Sequence, residues 1–177
     1  MNLPTKITFI RICMVPVFVI FLLIDNTACR YISAIIFIVA ALTDSLDGYL
    51  ARSRNLVSNL GKFLDPLADK ILVCAALICL VAINLVPAWV LIIIVFREFA
   101  VTGLRTLVVA DGLVVAASRL GKIKTVSQML AVIFLILANL PWCYAIGTVL
   151  LYVALFFTVY SGVDYFLKCK SVLFNSK

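Results

Sequence analysis

Four of the eight acidic residues in this 177-residue chain, Asp44, Asp47, Asp65 and Asp69, fall within one run of 26 positions. The run reads Asp44-Ser-Leu-Asp47-Gly48-Tyr-Leu-Ala51-Arg52, then eight residues, then Gly61-Lys-Phe-Leu-Asp65-Pro-Leu-Ala-Asp69. Carboxylates crowded into so apolar a chain are costly unless something binds them. Four carboxylates with no histidine or thiolate among them suit magnesium or manganese, hard cations, over zinc or copper. A pair of such ions bridged by shared carboxylates can clamp a phosphoryl oxygen and assist an in-line displacement. Arg52, beside the run, supplies a guanidinium that can hold a diphosphate. The plainer reading pairs the four acids with Arg52, Arg54, Lys62 and Lys70 as interfacial salt bridges. It gives no reason for the small residues that accompany the acids.

Helical spacing turns the run into a site. Asp44 and Asp47, three apart near the end of a second helix, share a face, and Gly48 and Ala51 continue that stripe. Asp65 and Asp69, four apart at the start of a third helix, share a face likewise, with Gly61 one turn earlier. Small residues on such stripes let backbones or a bulky ligand approach closely. A turn of about ten residues, holding Arg52, Arg54 and Asn55, is expected between the two helices. Pro66 is expected in the first turn of the third helix, where its missing N–H costs little.

The elements that carry these residues are expected to cross a membrane. The chain is 66% hydrophobic with a mean hydropathy of +1.23, against about 45–50% apolar content in ordinary soluble domains. Spans of about 20 apolar residues mark transmembrane helices. Six are expected: Ile7–Leu23, Tyr31–Tyr49, Leu64–Ile83, Pro87–Val108, Thr125–Leu140 and Tyr144–Leu167. The first shows no cleavage-site pattern and reads as a retained span. The expectation is an all-α integral membrane protein, a six-helix bundle forming one domain over residues 1–177. With both termini cytoplasmic, fourteen of the fifteen lysines and arginines fall at or toward the inner side, leaving Arg30 outside. Trp89, Trp142 and Tyr144 then lie at the outer boundary, and the working end faces the cytoplasm.

Composition also excludes. With no histidine, acid–base chemistry falls to Asp, Glu, Lys or Tyr, and a phosphohistidine route is closed. The six cysteines have no metal-type spacing; a Cys29–Cys143 bridge between outer loops is the one pairing left open. The net charge of +7 reads as topology and attraction to anionic lipid headgroups. No soluble basic domain exists to carry nucleic acid, which is not expected as a partner.

The run Asp44-x2-Asp47-Gly48-x2-Ala51-Arg52-x8-Gly61-x3-Asp65-x3-Asp69 resembles, at every specified position, the signature of the CDP-alcohol phosphotransferases. Members of that family are six-helix membrane enzymes, usually homodimers, that move the phosphatidyl or a related group of a CDP-linked donor onto an alcohol and release CMP. The resemblance implies that Asp44, Asp47 and Asp65 bind the metals. Asp69 would complete the metal site and act as general base on the acceptor hydroxyl. Gly48, Ala51, Arg52 and Gly61 would hold the cytidine diphosphate of the donor.

The opening Asn2-Leu3-Pro4-Thr5-Lys6-Ile7-Thr8 with Arg11 resembles one bacterial branch of the family, whose acceptor is sn-glycerol 3-phosphate. So do Arg97-Glu98-Phe99, Gly103-Leu104-Arg105 and Gly121-Lys122-Ile123-Lys124-Thr125. That branch implies CDP-diacylglycerol as donor, membrane lipid as surroundings and the bacterial cytoplasmic membrane as location. A dianionic acceptor needs cations along its entry path. Glu98, Thr102 and Arg105 form one polar stripe on the fourth helix, and Arg97 lies about 12 Å below Trp89 at 1.5 Å per residue. One account pairs Arg97 or Arg105 with Glu98 for packing. The sharper account makes Arg105, Arg119, Lys122 and Lys124 the pocket for the acceptor phosphate, supported by Arg97.

Direct transfer is the expected mechanism, with a phospho-aspartyl route left open. The donor's acyl chains are expected to enter sideways from the inner leaflet beside the helices lining the site. A sister enzyme using phosphatidylglycerol, serine or inositol phosphate is the alternative. A divalent-cation channel or carrier fits less well, because such a path needs polar groups at several depths. A structural scaffold leaves the acidic run unexplained.

Overall fold

The computed structural model describes the backbone over residues 3–54, 59–110 and 119–175, and the side chains over residues 8–43, 68, 70–106 and 120–169. Within them the chain forms six helices and no strand: α1 (Leu3–Leu23), α2 (Thr27–Arg54), α3 (Asn59–Ala82), α4 (Ala88–Ala110), α5 (Arg119–Ile136) and α6 (Pro141–Asn175). Each expected segment corresponds to one helix. The boundaries move because an apolar run stops at its last greasy residue, whereas a helix continues through any residue that tolerates the conformation.

Two local expectations change as a result. Arg52 and Arg54, expected in a turn, belong to the last turn of α2, and α3 already begins at Asn59; Asn55, the other residue expected in that turn, lies outside the described residues. Pro66 is seven residues past the start of α3 at Asn59, so it lies inside the helix and not in its first turn. The cost is the amide that the Lys62 carbonyl would otherwise receive from position 66. The helix is carried past this point by the apolar run that follows. α5 also differs: it stops at Ile136, and 137–140 form the turn into α6.

The helix ends have identifiable stops. Asn26 Oδ1 accepts the Ala28 N–H at 2.8 Å and caps α2. α3 closes on a Schellman arrangement: Leu85 N–H donates to the Leu80 carbonyl at 2.9 Å and Asn84 N–H to the Val81 carbonyl at 3.0 Å. Asn84 holds the left-handed conformation this requires, at φ 60°, and asparagine is among the few non-glycine residues that tolerate it. Pro141 opens α6, where its missing amide has no helical partner to lose. Short turns thus join α1 to α2, α3 to α4 and α5 to α6.

α5 packs most extensively on α6, α1 lies against α2 and α3, and α4 rests on α6, with lighter contacts joining α2, α3 and α5. The core is apolar: Phe18 and Phe37, with ring centroids 5.7 Å apart, join Leu22, Leu77, Leu80, Ile94, Leu135, Ile136 and Leu151. At the α5–α6 contact a Cβ on Gly147 would stand 2.9 Å from Leu135 Cγ and 3.0 Å from the Leu135 backbone nitrogen. A backbone atom cannot rotate away, so a larger residue must push the helices apart. Gly147→Val should therefore destabilise the bundle by about 1–3 kcal/mol. It should show as a lower unfolding temperature in detergent; an unchanged midpoint would mean the helices are not held this closely.

The apolar core encloses a few polar side chains, and the outer surface is apolar as well. Thr8, Arg11, Ser33, Lys124, Ser127, Gln128, Thr158 and Ser161 are buried, whereas Phe96 is 74% and Phe99 63% exposed. Every helix presents large apolar side chains outward, among them Ile20 on α1, Ile35 on α2, Ile78 on α3, Val126 on α5 and Phe156 on α6. By length and composition, one helix among the described residues, Pro141–Cys169, is able to cross a bilayer. Cys29 and Cys143 are not joined by a disulfide, so that pairing is not formed.

Candidate functional site

The acidic run is carried by two long helices that contact each other. Asp44, Asp47, Gly48, Ala51 and Arg52 all lie on α2, and Gly61, Asp65 and Asp69 on α3. Because α2 runs unbroken to Arg54, Asp44, Asp47, Gly48 and Ala51 occupy one stripe of a continuous helix. Because α3 already begins at Asn59, Gly61, Asp65 and Asp69 occupy another. The side chains of these eight residues, and that of Arg119 at the first position of α5, lie outside the described residues. Among the described residues no group of three or more His, Cys, Asp or Glu could hold a metal. The side chains of the four expected metal ligands, Asp44, Asp47, Asp65 and Asp69, are not among those described.

Among the described basic side chains, Arg97 and Lys124 converge on Glu98. This residue of α4 is half-buried, with 17% side-chain exposure, and its Oε1 accepts hydrogen bonds from Lys124 Nζ of α5 and, at 3.2 Å, from Arg97 Nη1. Arg97 continues into α6: its Nε donates to the Thr158 carbonyl at 3.1 Å and its Nη2 to Ser161 Oγ at 2.7 Å. Gly162 leaves room for this reach, since a Cβ there would stand 3.1 Å from Arg97 Cγ. On the α3 side, Lys70 Nζ donates to Thr102 Oγ1, which donates to the Glu98 carbonyl at 2.6 Å. Lys70, Glu98, Lys124, Thr125 and Gln128, with Val73, Cys74 and Met129, line a recess of about 40 Å³.

Of the expected acceptor cations, the structure brings Arg97 and Lys124 together on one carboxylate and leaves two others apart. Lys122 is exposed, two residues from buried Lys124 and so on nearly the opposite side of α5. Arg105 is exposed as well, its guanidinium carbon 5.9 Å from the centre of the Tyr165 ring, a cation–π contact between α4 and α6. The packing account expected Arg97 or Arg105 on Glu98; Arg97 is the one that takes that place. Lys70 is a recess residue that sequence reasoning treated only as a helix-end charge. Its signal was adjacency to Asp69, about 100° further round the same helix. Gln128 was missed too, although Lys124 and Gln128 at i and i+4 make a polar stripe in an otherwise apolar helix.

Comparison with known proteins places this geometry in a lineage. A family model described as CDP-alcohol phosphatidyltransferase matches residues 1–160. The chain is 51% identical to a Bacillus subtilis (strain 168) protein named CDP-diacylglycerol--glycerol-3-phosphate 3-phosphatidyltransferase, over 94% of each. It is 38% identical to the Rickettsia typhi protein of the same name, over 96% of this chain and 98% of that one. A Mycobacterium tuberculosis protein named probable phosphatidylglycerophosphate synthase is also 38% identical, over 93% of this chain and 79% of its own length. With the signature intact on α2 and α3 and similarity running through nearly the whole sequence, the chain belongs to the CDP-alcohol phosphatidyltransferase family.

Proposed function

We propose that this protein transfers the phosphatidyl group of CDP-diacylglycerol to sn-glycerol 3-phosphate, giving phosphatidylglycerophosphate and CMP. The observation that carries the reading is the 51% identity, over 94% of both chains, to a relative named for that donor and acceptor. It works as a six-span protein of the bacterial cytoplasmic membrane, in the manner of a homodimer, with its termini and site on the cytoplasmic side. The outward apolar surface on all six helices supports the membrane setting, because water does not tolerate so much contiguous apolar area and lipid does.

Asp44, Asp47, Asp65 and Asp69 would hold a pair of magnesium or manganese ions, which when bound neutralise charge on the donor's diphosphate. Gly48, Ala51 and Gly61, with no bulk on their stripes, leave space for the cytidine diphosphate, and Arg52 pairs with its phosphates. Asp69 takes the proton of the acceptor's primary hydroxyl. That oxygen attacks the phosphorus bearing the diacylglycerol; the new P–O bond forms as the bond to the CMP oxygen breaks, and CMP leaves with the electron pair. Lys124 and Arg119, with Arg97 behind them, bring the dianionic acceptor to this point, while Arg105 and Lys122, which stand apart from Lys124, add positive charge along its approach. The acyl chains stay in the inner leaflet and reach the site from the side.

Purified protein in detergent, given CDP-diacylglycerol and either glycerol 3-phosphate, serine, inositol phosphate or phosphatidylglycerol, should release CMP with glycerol 3-phosphate at least about tenfold faster than with the others. That ratio corresponds to about 1.4 kcal/mol of transition-state discrimination. Faster release with another acceptor would make the protein a sister enzyme.

A further inference from the structure

We infer that Glu98 is a positioning residue for the reaction, setting where the Lys124 ammonium stands relative to the acceptor. The inference rests on the acceptor reading above and names a residue which that reading leaves without a role.

Three cations from three helices meet around this one carboxylate. Lys124 of α5 and Arg97 of α4 donate to the same oxygen, Oε1, while Lys70 of α3 is tied to the Glu98 backbone through Thr102. Among the described residues, Glu98 is the one carboxylate that these cations share. Holding an ammonium inside an apolar bundle carries a desolvation cost, which the Glu98 carboxylate offsets for Lys124. Arg97 is already committed to Thr158 and Ser161 on α6, which anchors Glu98 from behind. Lys124 is an unbranched chain, 6% exposed, whose ammonium is held on Oε1 at the wall of the recess. Lys70 follows Asp69 directly in α3, so the Lys70–Thr102–Glu98 link also ties the level of α4 to the turn of α3 bearing the expected base. Glu98 touches no reacting atom in this scheme; it acts through Lys124.

A double-mutant cycle distinguishes this from a purely structural role. Glu98→Gln keeps the shape and removes the charge that holds Lys124. KM for glycerol 3-phosphate should rise about tenfold or more, with KM for CDP-diacylglycerol within about twofold of the parent. In a Lys124→Met background the same Glu98→Gln change should raise the acceptor KM less than about threefold, because the group it acts through is gone. Glu98→Asp, which keeps the charge but shortens the arm, should fall between parent and Glu98→Gln. If Glu98→Gln yields no folded protein, the cycle is run with Glu98→Asp.

Equal increases in both KM values, or the same increase in both backgrounds, would overturn the proposal. Should the parent prefer a different acceptor, the acceptor reading fails by itself, and the cycle is read on the KM of the acceptor it does use.

Discussion

Asp69→Asn should lower CMP release from CDP-diacylglycerol and glycerol 3-phosphate by about 10²–10⁴-fold, the range associated with losing a positioned general base. The substitution is nearly isosteric, so α3 should keep its fold. An amide cannot accept the hydroxyl proton, because its nitrogen is a donor and its oxygen is a poor base. Asp69 is also the last of the four carboxylates, so the variant should bind metal and donor more weakly while still binding both. Two measurements separate the roles: single-turnover CMP release reports chemistry, and donor binding by the folded variant reports the site. Activity within a few fold of the parent would remove Asp69 from the base role and turn attention to the other three acids.

Chelation should produce the second large effect. With excess EDTA, CMP release should fall by about a thousandfold or more, since Lewis-acid neutralisation of a transferring phosphoryl group contributes several kcal/mol and each 1.36 kcal/mol is tenfold in rate. Adding magnesium or manganese back should restore it. A second readout does not depend on turnover. Four carboxylates on two contacting helices repel one another when empty, and an ion that binds only the folded state stabilises it by mass action, about 2.7 kcal/mol at a hundred times its Kd. The metal-free protein should therefore unfold at a lower temperature in the absence of any substrate. An unfolding midpoint indifferent to EDTA and to added magnesium or manganese would argue that the acidic run is not a cation site.

These two outcomes bear on residues legible from the sequence at once, whereas the Glu98 cluster was legible only in part: a pairing with Arg97 or Arg105 was expected, and the places of Lys124, Lys70 and Gln128 beside it were not. Asp44, Asp47, Asp65 and Asp69 announce themselves because spacing along one or two helices is local information: three- and four-residue intervals share a face wherever the helix goes. The same holds for the six helices, whose apolar runs correspond one to one with α1 to α6. It fails at helix ends. Arg52, Arg54 and the stretch from Asn59 to Phe63 are polar or mixed, so hydropathy assigned them to a loop. Backbone hydrogen bonding carries them into α2 and α3, and this also moves Pro66 into a helix interior.

What the chain by itself determined, then, is the class of chemistry and the two helices that hold it, because both follow from residue type and short-range periodicity. Which cation serves which partner was decided only in three dimensions. Arg97 of α4 grips Thr158 and Ser161 some sixty positions away on α6, Lys124 crosses from α5 to Glu98, and Arg105 turns to Tyr165. Nothing in the spacing of one helix states what its neighbour presents across the gap. Those pairings come from the packing of α3, α4, α5 and α6, in which a half-buried carboxylate takes whichever cations the adjoining helices bring within reach.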